Sequence, residues 1–199
     1  EEMVRLTIVN APGDVVIGGE AVACQRVVEK LGKSRAYRLH YDVAIHCGEV
    51  EPFRESWWKI HHRETTPVEG LRYYSVANLD HYQASADNAA KALTGMALNR
   101  VDFPSLIEKA YADGVRIFVE LGPRDGCSKW IARTLDDAGG RSEYLSVAMD
   151  RGGRSSLQQL VDVVAQLAVA GVNVDLEALD AALAPLNTAV FEKDVAERR

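Results

Sequence analysis

The sequence has no long apolar run, no concentrated basic region and few cysteines. A segment that crosses a bilayer needs roughly 18–20 consecutive apolar residues, and no stretch approaches that length. The first residues, Glu1-Glu2-Met3, have none of the features of a secretory signal peptide. Three cysteines without close pairing favour a reducing compartment over a disulfide framework. We therefore expect a cytoplasmic protein that does not bind membranes.

The charge balance argues against a nucleic-acid binder. The chain has 23 Lys and Arg against 29 Asp and Glu, a formal net charge of −6. Its basic residues are scattered among acids, whereas neutralising a phosphate backbone needs a concentrated basic face. We expect no nucleic-acid partner.

The first part of the chain predicts strands around one helix. Short β-branched runs at 4–9 and 15–18 flank a turn, and a helix is expected over about 20–31. Apolar and polar residues then alternate over 36–45, which predicts a strand with one wet face. This β-β-α-β order is three quarters of a ferredoxin-like unit, which would normally open with another strand and helix. We expect a partial ferredoxin-like small subdomain over residues 1–45, with an exposed sheet edge.

The remaining patterns predict an α/β fold, with helices and strands in turn. The expected helices lie at about 49–61, 85–96, 104–114, 125–136 and 155–170. The expected strands lie at 71–77, 115–121 and 142–149. The run at 115–121 is nearly continuously apolar, which is typical of a strand buried on both faces.

His46 follows the predicted strand 36–45, in a position where α/β proteins often carry chemistry. Taken alone, such a histidine is more often a hydrogen-bonded structural residue than a catalyst. Cys47 could act as a nucleophile beside it, but adjacent strand residues point to opposite faces, so we expect Cys47 to pack. His61 and His62 are neighbours on a predicted helix and diverge by about 100°, which disfavours a shared metal ion. No metal site is expected.

Four stretches carry a family resemblance, and they occur in the family's order. They are "VNAPGDVVIGG" (9–19), "VAIHCGEVEPF" (43–53), "VRIFVELGPRDGCSKWI" (115–131) and "QQLVDVVAQLAVAGVNVDLEAL" (158–179). Together they resemble the malonyl-CoA:acyl-carrier-protein transacylases, which include the acyltransferase domains of polyketide and polyunsaturated fatty acid synthases. The third stretch is most similar to iterative synthases, among them those that make enediyne cores.

The resemblance implies how the chain is divided. It implies that residues 46–150 form the C-terminal part of an α/β-hydrolase-like acyltransferase core. Residues 151–185 would be a post-acyltransferase helical segment, and 186–199 a linker or tail.

The resemblance also implies a chemistry for His46. In the family, the equivalent histidine activates a serine that attacks the malonyl-CoA thioester, and the acyl group then passes to the phosphopantetheine thiol of an acyl carrier protein. A backbone carbonyl, here that of Met96, orients the ring. Ile45 and Asn99 are implied in the substrate pocket, and the bulk of Ile45 favours malonyl over α-branched donors. The carrier protein and neighbouring synthase domains are the implied partners, with no tightly bound cofactor.

The family's nucleophile motif is missing. The nucleophilic serine of these enzymes lies in a Gly-His-Ser-x-Gly turn, and this sequence contains no Gly-x-Ser-x-Gly. We therefore expect the C-terminal half of an acyltransferase domain, inactive by itself and completed by a missing N-terminal half. The alternative is a non-catalytic docking module within a multidomain synthase.

Overall fold

A computed structural model of the chain describes residues 3–137, 139 and 143–184. Helices and strands follow one another along these residues, so the predicted α/β class is confirmed. The chain divides into two compact units. The first comprises Glu1–Glu120 with Asp125–Val147, and the second comprises Leu121–Arg124 with Ala148–Arg199.

The first unit opens with the predicted hairpin. Strand β1 (Val4–Ala11) pairs antiparallel with β2 (Asp14–Gly19), and Gly13 takes the left-handed conformation that the tight turn between them requires. The short strand β5 (Val101–Asp102) pairs parallel with β1 on its other side, so the strand order is β2-β1-β5. Helix α1 (Ala21–Leu31) follows β2 and confirms the predicted helix.

The prediction of a strand over 36–45 is wrong for this structure. Within the described chain these residues have no sheet partner, and Tyr37, Tyr41 and Val43 are 78%, 75% and 76% exposed. The reason is physical: an alternating pattern forms a strand only where a neighbouring strand supplies hydrogen bonds and a core covers the apolar face. The ferredoxin-like subdomain, which needs this strand, stays a prediction.

Two helices and a hairpin follow. The predicted helix 49–61 is a 3₁₀ turn (Gly48–Phe53) that contains Pro52, continued by α2 (Arg54–His61). Apolar periodicity alone does not distinguish such a turn from the first turns of an α-helix. The predicted strand 71–77 is shorter, β3 (Tyr73–Ser75), and it pairs with an unpredicted strand β4 (Asp80–Tyr82). Helix α3 (Ala86–Leu98) packs against α2.

Helices α4 (Phe103–Ala112) and α5 (Gly126–Asp137) enclose the main apolar cluster. Ile107, Ile131 and Leu135 form its buried centre.

Strands β6 (Ile117–Glu120) and β7 (Leu145–Ala148) form a two-stranded sheet. The expectation that β6 is buried on both faces is wrong, because Val119 is 40% exposed and β6 pairs only with β7 in the described part of the chain.

The second unit contains the last described helices. Helix α6 (Ser156–Val169) begins with a capping box between Ser155 and Gln158, and a helical segment covers 176–184. No helix in the described ranges is both long enough and apolar enough to cross a bilayer. The predicted domain limits stay a prediction, and the segment 186–199 lies outside the described residues.

Glu120 is an acidic residue at the end of an apolar strand, and its carboxylate has a structural role there. Its two oxygens accept the backbone N–H groups of Cys127 (3.1 Å) and Ser128 (2.7 Å), in the first turn of α5. These N–H groups have no partner within the helix, and the positive end of the helix favours an anion there. Glu120 therefore fixes the start of α5 relative to β6.

Replacing Glu120 tests this cap. We expect Glu120→Ala to lower the free energy of unfolding by about 1–3 kcal/mol, because two backbone donors lose a charged acceptor. Urea denaturation followed by circular dichroism measures the change. Glu108→Ala, at an exposed position of α4, is the control. Equal stability of the two variants would contradict the capping role.

Candidate active site

The end of helix α3 is the scaffold of the candidate site. The Ser85 side chain accepts the Asn88 N–H (3.1 Å) and caps the start of the helix. At the other end, the helix stops at Leu98 and leaves backbone carbonyls without helical partners. Gly95 lies in this last turn against Ala77, where an added Cβ would approach the Ala77 Cβ to 2.9 Å. The last turn is thereby held close to the loop that follows β3.

His46 makes two hydrogen bonds to this turn. Its ring Nδ1 lies 2.6 Å from the Met96 carbonyl oxygen, and its backbone N–H donates to the Ala97 carbonyl (2.9 Å). A carbonyl oxygen only accepts, so the first contact requires the proton on Nδ1. The neutral ring then keeps Nε2 as an acceptor, and the half-buried side chain can receive a proton there.

The backbone of His46 has an unusual conformation. Its φ is +64°, in the left-handed region that residues with a Cβ adopt rarely. Such a conformation costs on the order of 1–3 kcal/mol and persists only where surrounding contacts impose it. The two hydrogen bonds to α3 are such contacts, and they orient the ring towards the end of the helix.

The Nδ1 hydrogen bond of His46 does not depend on the charge of the ring. Neutral and protonated imidazole can both donate from Nδ1, so the contact with the Met96 carbonyl persists when Nε2 takes a proton. The Met96 carbonyl contacts Nδ1, the ring nitrogen that an aspartate contacts in a Ser-His-Asp triad.

Cys47, the neighbour of His46, is buried rather than reactive. It is 6% exposed, as expected for a packing residue. Burial, followed by hydrogen bonding to Glu49, raises the pKa of the Cys47 thiol, so little thiolate forms near neutral pH. The Cys47 thiol and the Arg5 guanidinium, whose Nε lies 2.6 Å from the Glu49 carboxylate, in turn lower the pKa of Glu49 to about 2.

Of the two implied pocket residues, one precedes His46 in the chain and the other follows helix α3. Ile45 precedes it and is 37% exposed. The Asn99 side chain donates to the Gly95 carbonyl (2.8 Å) at the end of α3. The structure therefore brings His46, Met96 and Asn99 to one helix end. The roles of these three residues and of Ile45 in catalysis or substrate binding stay predictions.

Sequence reasoning missed the Ala97 carbonyl and the left-handed backbone of His46. The resemblance implied the Met96 carbonyl but nothing for Ala97, and the Ala97 side chain takes no part in the contact. The conformation of His46 depends on contacts with a helix that begins forty residues further along the chain.

Three other histidines, His61, His62 and His81, have partners. The His61 ring lies 2.8 Å from the Trp57 carbonyl, and the His62 ring lies 2.9 Å from Asp87, so the two rings do not converge on one ion. A group that the sequence did not indicate, Asp80, His81 and Asp113, has its polar atoms within 4.8 Å of one another. The Lys109 ammonium already lies between its two carboxylates, 3.1 Å from Asp80 and 2.5 Å from Asp113. This group is therefore an ion-pair network.

Thiol labelling tests the burial of Cys47. We expect Cys47 to react with iodoacetamide more slowly than the half-buried Cys24, because its thiol is both covered and protonated. Peptide mass spectrometry after timed labelling at pH 8 gives the two rates. In urea the rates should converge. Preferential labelling of Cys47 in the native protein would instead indicate a reactive thiol.

Comparisons with known proteins agree with the resemblance. No family model matches the chain. The chain is 27% identical over 174 residues to a polyunsaturated fatty acid synthase polypeptide of Thraustochytrium sp. (strain ATCC 26185 / S-3), an alignment that covers 82% of this chain and 8% of that protein. The chain therefore spans a small part of this curated relative.

Solved structures match over most of the chain. The acyltransferase domain from the second module of the salinomycin polyketide synthase superposes with a TM-score of 0.69 at 26% identity, over 86% of this chain and 40% of that one. The malonyl CoA-acyl carrier protein transacylase from Clostridium perfringens has the same fold, with a TM-score of 0.65 at 23% identity over 86% and 52%. From this fold and these relatives, the chain belongs to the family of malonyl-CoA:acyl-carrier-protein transacylases and synthase acyltransferase domains.

Proposed function

We propose that this chain supplies the histidine of a Ser-His acyltransferase site. The enzyme would move a malonyl or related acyl group from CoA, through a serine ester, to the phosphopantetheine thiol of an acyl carrier protein. The observation that carries the proposal is the contact between His46 Nδ1 and the Met96 carbonyl, which leaves Nε2 as the proton acceptor. Orientation of the ring by a backbone carbonyl is what the family resemblance implies for this position.

The proposed reaction has two proton-balanced halves. In the first, His46 Nε2 takes the serine hydroxyl proton, the serine oxygen bonds to the thioester carbon, and the carbon–sulfur bond breaks. His46 then returns the proton to the departing CoA sulfur. In the second half, Nε2 takes the proton of the phosphopantetheine thiol, whose sulfur attacks the ester, and the serine oxygen leaves with that proton.

We propose that the nucleophile comes from an N-terminal half of the domain, because the sequence contains no Gly-x-Ser-x-Gly. Two features support a missing neighbour. The apolar side chains of 36–45 are exposed, and in the described part of the chain β2 pairs only with β1, which leaves its outer edge open. A strand from the N-terminal half that added at this edge would bury both features.

Donor choice would depend on Ile45, the residue before His46. Its branched side chain would crowd an α-methyl group on the donor, which favours malonyl over methylmalonyl. A methyl group in an apolar pocket shifts selection by about 1–3 kcal/mol, so this preference would be moderate.

A second candidate function is a non-catalytic docking module. The missing nucleophile motif favours it, because without a serine ester the covalent route does not exist. In this case His46 would have no catalytic role, and the acyltransferase-like surface would bind an acyl carrier protein or adjacent synthase domains.

Intact-mass spectrometry under denaturing conditions separates the two functions. We expect malonyl-CoA to leave the 199-residue chain unmodified. Joined to the nucleophile-bearing half of its domain, the protein should gain one malonyl mass and pass it to the carrier protein. In the joined protein, His46→Ala should slow this transfer by about 10²–10⁴-fold, because a positioned general base is lost.

The control variant is His40→Ala, which removes an exposed histidine six residues upstream. It should transfer at the unaltered rate. Acylation of the isolated chain, or equal rates for the His46 and His40 variants, would contradict the proposed function.

A further inference from the structure

We propose that Asn99 is a positioning residue for His46. Helix α3 ends at Leu98, and the side-chain amide of Asn99 donates to the Gly95 carbonyl. The carbonyls of Met96 and Ala97 are thereby left free to accept hydrogen bonds from His46. The inference rests on the proposed function, which gives the orientation of His46 its purpose. It is separate from the substrate-pocket role that the resemblance implies for Asn99, which stays a prediction.

The hydrogen bonds at the end of α3 support this role. The Gly95 carbonyl accepts both the backbone N–H of Asn99 (3.0 Å) and its side-chain Nδ2 (2.8 Å). An α-helix that continued would instead place the N–H groups of residues 100 and 101 on the Met96 and Ala97 carbonyls. Asn99 is extended, with φ −121° and ψ 155°, and takes the chain out of the helix. The two carbonyls therefore accept from His46.

The chain after Asn99 is fixed as well. Val101 and Asp102 form β5 and pair with Ile8 and Val9 of the central strand β1. Asn99 is thus the junction at which a helix end and a sheet strand are joined within two residues. The hydrogen bond from its side chain to the Gly95 carbonyl holds the end of α3, where the candidate site lies.

The chemical consequence concerns which ring nitrogen carries the proton. If the last turn of α3 loosens, Nδ1 loses its acceptor and the ring can adopt the tautomer protonated on Nε2. A ring with a proton on Nε2 cannot receive one from a serine hydroxyl there. Loss of the Asn99 side-chain hydrogen bond would thus weaken general-base action by way of the His46 ring.

Nitrogen NMR of the histidine rings tests the proposal directly. The full 199-residue chain is labelled with ¹⁵N-histidine, and the His46 signals are assigned from their loss in His46→Gln. The Nδ1 and Nε2 shifts at a pH where the ring is neutral report the ratio of the two tautomers. We expect the Nδ1–H form to predominate in the unaltered chain.

Two variants remove the Asn99 donor. We expect Asn99→Ala and Asn99→Asp each to lower the Nδ1–H to Nε2–H ratio by about three- to tenfold, the effect of one lost hydrogen bond. Asn99→Asp keeps the shape of the side chain, so it decides the matter if the alanine variant does not fold. Ser85→Ala is the matched control, because it removes a cap of similar strength from the opposite end of α3 and should leave the ratio unchanged.

An unchanged ratio in the folded Asn99 variants would overturn the proposal, as would an equal change in Ser85→Ala. The readout does not involve acyl transfer. If His46 is not catalytic, the mass-spectrometric assay fails while the tautomer result still stands, so the two failures are distinguishable.

Discussion

The candidate site depends on one interaction: the end of helix α3 holds His46 by both its ring and its backbone. The ring contact selects a tautomer, and the backbone contact supports a left-handed conformation that the residue would rarely adopt otherwise. The position of that helix end is in turn fixed by the close approach of Gly95 to Ala77 and by the strand that follows Asn99. The precision of the site therefore comes from backbone groups on regular elements, which move less than side chains on loops.

The chain carries surfaces that fit a larger domain. Exposed apolar side chains over 36–45 and the open edge of β2 are features that a finished sheet normally covers. This chain covers 40% and 52% of the two solved structures described above. Under the proposed function, another segment would supply the nucleophile that His46 activates.

Local signals predicted much of the fold but only part of the site. Helix α3 begins directly after Ser85, whose side chain caps it. The β1–β2 hairpin was predicted from β-branched runs on either side of a glycine turn. The prediction of a strand over 36–45 was wrong, because strand formation also requires a neighbouring strand to pair with, which a local pattern does not show. The resemblance indicated His46 and Met96, which the structure places in contact. The Ala97 carbonyl needed three-dimensional information, because the resemblance assigns that position no role and the contact does not involve its side chain.

We have proposed that His46 activates a serine supplied by an N-terminal half of the domain. A crystal structure of the chain joined to its nucleophile-bearing half tests this claim most directly. We expect His46 Nε2 within about 2.6–3.2 Å of the serine oxygen, with Nδ1 still bound to the Met96 carbonyl. A serine far from Nε2, or a ring turned away from α3, would contradict it.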